Sequence, residues 1–511
     1  MPLAPPVTNA YVPWRPFTPR FCRNRVGTAR MATISITSAA RPARSGLRRQ
    51  LHLFGTVAVS IGVMAPTLAM SVTGVEPARL LGRAAPLAFL FAGVGVGLVA
   101  YGFVRLSGEF AHAGSVYGFV GHAFGPRAGF FCGWALLGTY LVFPAVSMSG
   151  VAVFGEAFLK STGIASDFPW YPLALFGWAV IGLAASREVR KAISALVVFE
   201  VVAFALILVL MAAIAVSLIG GDAPRGQDLN TDIVKLPPGT SLSTIGLAAV
   251  FGFLSYAGFE SAGSFGEEAH QPRRTVPYSL WAAIAFGGVF YFVCMSIQTL
   301  GFGTDAAGVK AFASSGAPLG DLAHTYMGQG MADALNFAAV ISSFGAGMGC
   351  AAVGARMLYA LGRDRVLAGD LGTVRRSNGT PGIALAFVLA LDLAGLTIFA
   401  IAGTPPLKVF FYLATFGTLN LLVMYIATNL AAARFLTRGP RPWEVAIPLV
   451  GIAVAGYVLY HNIYPVPDPP FDLFPYLVGA WLALGTLAIL FVPGLRDRVA
   501  RGLAAAESAQ T

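Results

Sequence analysis

The sequence predicts an all-α integral membrane protein of twelve transmembrane helices, and three observations carry that prediction. Of its 511 residues, 56% are hydrophobic and only 11% charged, with a mean hydropathy of +0.72. A soluble domain carries about 25% charged residues, so the solvent for most of this chain is a bilayer. Apolar runs of roughly 18 residues or more, long enough to cross a hydrocarbon core of ~30 Å, recur along the chain. Finally, Lys and Arg concentrate in alternate loops.

Residues 1–50 hold nine Arg, no Lys and no acidic residue, interrupted repeatedly by Pro. An Arg-rich organellar presequence has that composition. With no amphipathic helical pattern, a disordered cytoplasmic tail is the expectation, and Met31 stands as an alternative first residue. The apolar spans fall near 51–73, 84–104, 126–157, 170–185, 192–219, 242–265, 278–301, 333–360, 381–403, 408–435, 443–461 and 474–492. A second cytoplasmic tail, 493–511, closes the chain. With the N-terminus inside, the cytoplasmic segments hold 27 Lys and Arg against 7 outside, and still 18 against 7 without the first tail. The positive-inside rule therefore favours twelve spans in the cell membrane with both termini cytoplasmic.

Several function classes lose support at this point. The sequence pI of 9.7 would suit nucleic acid, but the Arg residues lie between apolar spans rather than on one soluble face, so no nucleic-acid partner is expected. Cys22, Cys132, Cys294 and Cys350 are too dispersed for a disulfide framework or a metal site. The six His form no His-x-x-x-His pair, and no nucleophile–base pair stands out. Neither an enzyme nor a metal or other cofactor is expected. Without a GxxxxGK loop, transport would run on gradients or exchange. A nutrient receptor built on a transporter-like body is the alternative from another class.

Two spans break helix grammar. The first, FGTVAVSIGVMAPTLAMSVTG, has Ser60, Gly62 and Pro66 near its middle. Pro66 removes a backbone donor, and its ring clashes with the preceding turn. The sixth, SLSTIGLAAVFGFLSYAGFESAGSFGEEAHQPRRTVP, weakens at Ala257-Gly258 and again at Gly263 and Gly266, with Glu260 beside the break. Irregular backbone survives at membrane depth only where protein or water covers it. The two spans lie five apart, and five is odd, so they occupy matching places in two halves of opposite topology. Interrupted helices so matched point to a transporter's binding site. The halves are 51–219 and 242–436, a ten-helix core over 51–436, with two peripheral helices over 443–492.

The motifs around these spans resemble the amino acid-polyamine-organocation permease superfamily. FGFLSYAGFESAGSFGEEAHQPRRTVPYSL is similar to its aromatic-glycine-acid break, acidic pair and Asn-or-Gln-Pro-Arg-Arg-Thr-Val-Pro exit. ISSFGAGMGCAAVGARMLYALGRDRVLAGDLG resembles its Arg-x-Leu-Tyr-Ala and Arg-Asp segment, and GSVYGFVGHAFGPRAGFFCGW its second-to-third helix junction. The resemblance covers roughly 50 to 495. It implies a leucine-transporter-like 5+5 inverted repeat plus two peripheral helices, and uptake or exchange of amino acids or related amines by a monomer or homodimer. It further implies that freed N–H groups of the first span, at Ser60, Ile61, Gly62, Val63 and Met64, hold a substrate carboxylate. The amino group would meet freed carbonyls of the sixth span, at Phe253, Leu254, Ser255, Tyr256, Ala257 and Gly258, with Phe259 or Tyr256 as a lid. Half-helix ends carry the dipole signs that suit both charges.

Four acids sit in or near spans, where an ionisable group is costly and by default functional. Glu156 lies near a span end and is expected at the surface; Asp392 is expected to make a structural hydrogen bond. Glu200 stands where the resemblance implies a Lys in several proton-coupled members, beside a cation-like site at Ser342 and Ser343. A buried carboxyl can carry a proton, and hydroxyls and carbonyls can hold sodium, so the co-transported ion is a proton or sodium, with the proton favoured. Glu260 is either a hydrogen bond that holds the break or a gate or proton relay. Met64, Phe251, Phe253, Tyr256 and Phe259 make the expected pocket apolar, which favours proton-coupled uptake of a neutral L-amino acid, because a cationic side chain would need a dedicated carboxylate. Amino acid/polyamine exchange or cationic amino acid uptake follows if Glu260 faces the cavity.

Overall fold

The computed structural model describes residues 51–110, 114–186, 189–375, 379–439 and 441–508, without the side chains of 189–199 and 506–508. The first expected tail and the end of the second lie outside the described residues. Among these residues the regular elements are helices.

The first expected span is two helices, α1 (Leu53–Met64) and α2 (Pro66–Val72), followed by the short α3 (Val75–Leu81). The second is α4 (Ala85–Ser107). After the short α5 (Val116–Phe124), α6 (Pro126–Tyr140) and α7 (Phe143–Ser161) share the third. Then come α8 (Trp170–Ala185) and α9 (Val189–Gly220). The sixth span is again divided, into α10 (Leu242–Tyr256) and the four-residue α11 (Ser261–Ser264), and the seventh is α12 (Pro272–Phe302). Two short helices, α13 (Ala306–Ala313) and α14 (Pro318–Met327), precede the long α15 (Gln329–Arg363). The chain closes with α16 (Gly382–Ile401), α17 (Pro406–Leu436), α18 (Ala446–His461), α19 (Phe474–Phe491) and α20 (Leu495–Ser508). Among the described residues, ten stretches are long and apolar enough to cross a membrane, and the shorter apolar helices α8 and α10 stand at the other two expected positions.

Local chemistry starts these helices where they start. Pro66, Pro126, Pro272 and Pro406 each occupy a first helical position, where the missing N–H costs nothing and φ is already helical. Ser241 Oγ caps α10 by accepting the Thr244 N–H at 3.2 Å. The interruption between α6 and α7 was not expected from the sequence. Its cause is Pro144, which cannot donate to the Tyr140 carbonyl four residues back. Asp392 of α16 closes that gap by accepting the Ala145 N–H at 3.2 Å, a structural hydrogen bond of the expected kind.

Large apolar side chains coat the outer surface, among them Phe54 at 75% exposed, Ile401 at 83% and Phe491 at 74%. On a soluble protein such patches would drive aggregation; in a bilayer they face lipid. Inside, α15 packs along α7 and α9, α12 along α4, and α17 against α6 and α7. Cys132, Cys294 and Cys350 are buried there with free thiols.

Candidate functional site

The first break lies at Ala65, a residue in left-handed conformation (φ 45°) between Met64 and Pro66. Pro66 has no N–H for the Gly62 carbonyl. The next two donors are diverted: the Thr67 N–H reaches Glu200 Oε1 at 3.1 Å, and the Leu68 N–H reaches Ser342 Oγ at 3.2 Å. The carbonyls of Gly62, Val63 and Met64 therefore lose their helical partners. This placement differs from the expected one. Helix α1 runs unbroken through Ser60, Ile61, Gly62, Val63 and Met64, so their N–H groups are spent inside it. The released donors lie just downstream, and Glu200 and Ser342 already hold them.

The second break follows Tyr256. Ala257 is extended (ψ 130°) and Gly258 has φ 105°. The Ala257 N–H turns back to Leu254 O, the Gly258 N–H to Glu260 Oε2 at 3.2 Å, and the Phe259 N–H to Tyr256 O. Phe253, Leu254 and Ser255 thus lose their ordinary i+4 donors. This break stands at the expected Ala257-Gly258.

The two breaks touch. Ser60 Oγ donates to the Phe259 carbonyl at 2.8 Å. A Cβ on Gly258 would lie 2.6 Å from Val63 Cγ1 and 2.9 Å from its carbonyl carbon. Only glycine allows both the positive φ and that approach.

Beside this contact lies a small central cavity of about 50 Å³. Both breaks line it, through Val63, Met64, Ala65, Leu254 and Ala257. Phe143 and Ser147 of α7, Cys350 of α15 and Phe410 of α17 complete its walls. Among its described lining residues there is no carboxylate, ammonium, guanidinium or imidazole. Sequence reasoning missed Phe143, Ser147 and Phe410 as wall residues, because nothing in their local sequence distinguishes them from packing.

A larger cavity of about 250 Å³ lies on the other side of the first break. Ile61, Gly62, Val63 and Pro66 form one wall, and α9, α12 and α15 supply the others. Val63 lines both cavities, so the first break lies between them. Glu200 is the one ionisable side chain among the described residues lining the larger cavity.

Several expected site residues face elsewhere. Phe253 lies against Gly95 of α4, and Tyr256 donates its hydroxyl to Gly287 O of α12 at 3.2 Å. Ser255 Oγ pairs with Thr73 Oγ1 at 2.8 Å. Ser343 Oγ donates to Ala339 O within its own helix at 2.7 Å. Phe259 packs its ring on Phe103 and Tyr425, 5.5 and 5.6 Å between centroids. Glu156 is half-buried near the end of α7.

Glu260 is 1% exposed and lines neither cavity. It accepts the Tyr140 hydroxyl at 2.7 Å and the Tyr425 hydroxyl at 3.2 Å, besides the Gly258 N–H. This carboxylate ties α6 and α17 to the second break.

The exit of that break is also pinned. Arg356 of α15 meets Glu268 at 2.5 and 3.1 Å and covers the Phe265 ring at 4.0 Å. Arg363 meets Glu267 at 3.0 Å. The acidic pair after the sixth span and the Arg residues in the last turns of α15 are therefore one cluster. The start of the first span joins it: the Leu51 N–H donates to Glu268 O, the His270 N–H to Leu51 O, and the His52 and His270 rings stack at 4.2 Å.

Two broken helices stitched around a shared cavity, in a body coated for lipid, define a multi-pass membrane transport protein. The Amino acid permease family model matches residues 51–492, and the chain belongs to that family. It is 24% identical over 336 residues to the branched-chain amino acid permease BcaP of Lactococcus lactis, covering 63% of this chain and 70% of that protein. The low-affinity putrescine importer PlaP of Escherichia coli is also 24% identical, over 75% of this chain and 81% of its own length. The chloroplastic cationic amino acid transporter 6 of Arabidopsis thaliana is 24% identical over 87% of this chain and 75% of its own.

Proposed function

We propose that this permease is a secondary active transporter that takes up a neutral L-amino acid together with a proton. The observation that carries the proposal is the central cavity: both breaks line it, and its described walls offer no charged group. A cationic side chain there would lack a counter-ion, at a cost no transport cycle benefits from. An apolar side chain of modest size finds Val63, Met64, Phe143 and Phe410. The name of the Lactococcus lactis relative, a branched-chain amino acid permease, agrees with that chemistry.

In this reading the substrate's ammonium group meets carbonyls released at the breaks, where helix C-terminal ends carry negative dipole. Glu200 is the proton carrier. A proton on its carboxylate weakens the hold on the Thr67 N–H, and that bond ties the start of α2, just past the hinge with α1, to α9. Ser342 stands beside it on the Leu68 N–H. Ser60 and Gly258 keep the two breaks moving together. Glu260 is the fixed brace of the second break, and its carboxylate does not read substrate charge.

Purified protein in liposomes, offered one labelled amino acid or amine at a time with and without an inward proton gradient, tests the proposal. Gradient-dependent accumulation of leucine, valine or a similar neutral amino acid is expected, together with its loss in Glu200→Gln. Accumulation of putrescine or arginine in place of neutral substrates would overturn it, as would full gradient-driven uptake by Glu200→Gln.

A further inference from the structure

The larger cavity is separate from the place assigned to the substrate. Its walls are nearly all hydrocarbon, with Phe204 of α9, Phe286 of α12 and Ile341 of α15 opposite Ile61 of α1. Its outer lip is apolar too: Phe54 is 75% exposed and Val201 61%. In a bilayer such a lip opens to acyl chains, and water has no reason to fill the groove behind it.

Among the described lining residues, the polar groups sit beside the first break. Glu200 is there, together with the Gly62 and Val63 carbonyls left without helical partners when Pro66 and Glu200 removed their donors. Next to Glu200, the Thr67 hydroxyl is fully buried. The carboxylate and the two carbonyls are acceptors, and together they suit a donor with several N–H groups and a positive charge. A hydrocarbon tail suits everything else in the groove.

We propose that the groove between α1, α9, α12 and α15 binds a single-chain primary alkylamine, its ammonium at Glu200 and its tail running out past Val201 and Phe54. A phosphoethanolamine lipid shares the ammonium but brings a phosphate against the Glu200 carboxylate, and is refused. Because Pro66 and Gly62 form one wall, the bound amine wedges against the first break and holds α1 in place. Such a ligand blocks transport without entering the central cavity. This site is independent of what the central cavity carries, and its test reads binding, so failure here and failure of the transport proposal are distinguishable.

The test measures labelled octylamine on the purified protein in phosphatidylcholine nanodiscs, corrected for empty discs. Saturable binding of one amine per chain is expected. Affinity should rise about fourfold for each methylene from hexylamine to octylamine. Octanol, octanoate and lysophosphatidylethanolamine should compete roughly tenfold more weakly or worse, because each lacks the charge or adds the wrong one. Glu200→Gln should weaken octylamine binding by a similar factor, with Glu200→Asp recovering part of it. Val201→Trp, which plugs the lip and leaves the carboxylate in place, should weaken it as well. Equal competition by octanol, or undiminished binding in both Glu200→Gln and Val201→Trp, would overturn the site. Displacement of octylamine by the neutral amino acid from a Val201→Trp variant of unchanged affinity would also overturn it, by moving the amine to the central cavity.

Discussion

At the scale of single residues, the contact between the two breaks rests on Gly258. Its φ of 105° lies where side chains are strained, and a Cβ would run into the backbone of Val63 and Met64 as well as a methyl group. Backbone cannot rotate away as a side chain can. Gly62 is the useful contrast, since nothing lies within 4 Å of where its Cβ would sit and its conformation is helical. Gly258→Ala is therefore expected to cost about 1–3 kcal/mol in strain and to cut uptake roughly tenfold or more by displacing the groups at the site. Gly62→Ala should keep most of the uptake and gain up to about 1 kcal/mol of helix stability. Thermal unfolding and initial uptake rates, measured on both variants, check the pair. Equal behaviour would mean that the breaks do not depend on their contact. Glu260 shows the same economy of partners: three donors, from the hydroxyls of Tyr140 and Tyr425 and the Gly258 N–H, hold one buried carboxylate at the break.

At the scale of elements, Pro66 decides where the first span divides. Glycine tolerates a helix, so Gly62 and its neighbours stay helical, whereas proline forbids the bond to the residue four before it. The sequence locates both interruptions because Pro and the Ala257-Gly258 pair act on their own backbone. It misplaces the donors of the first by a few residues, because the end of α1 depends on Glu200 and Ser342, which lie 133 and 274 residues away from their N–H partners. For the same reason Tyr140 and Tyr425 could not be read as partners of Glu260, being 120 and 165 residues distant. Span positions were legible, since apolar length is a local property; the facing walls were not, since Phe143 and Phe410 look like any lipid-phase packing residue. Replacing Pro66 tests the element directly. Pro66→Ala returns a donor to the Gly62 carbonyl and lets Thr67 and Leu68 bond within one continuous helix. The expected outcome is a chain at least as stable to heat whose uptake falls roughly tenfold or more. Retained uptake would show that the division between α1 and α2 is dispensable.

At the scale of the whole molecule, the ion pairs between the exit of the sixth span and the eighth lie at one end of the helices. Arg356 with Glu268, Arg363 with Glu267, and the backbone bridge from Leu51 to the 268–270 segment all gather where the first span begins and the sixth ends. The same side receives most of the Lys and Arg between spans, with 18 against 7 even when residues 1–50 are left out. Positive charge resists translocation, so we propose that this end faces the cytoplasm. Of the two ion pairs, Arg356–Glu268 is buried, and breaking it would leave a charge uncompensated. The opposite end carries the loop of Lys235, an exposed residue beyond α9. Orientation follows from these charges and is open to a direct measurement. Replacing Cys22 with Ser leaves three thiols, all buried, and single cysteines are then introduced at Lys235 and at Arg496, both exposed. In intact cells a membrane-impermeant thiol reagent is expected to label Lys235→Cys and to reach Arg496→Cys only after permeabilisation. The reverse pattern would invert the molecule in the membrane and place the ion-paired end, with the start of α1, on the outer side.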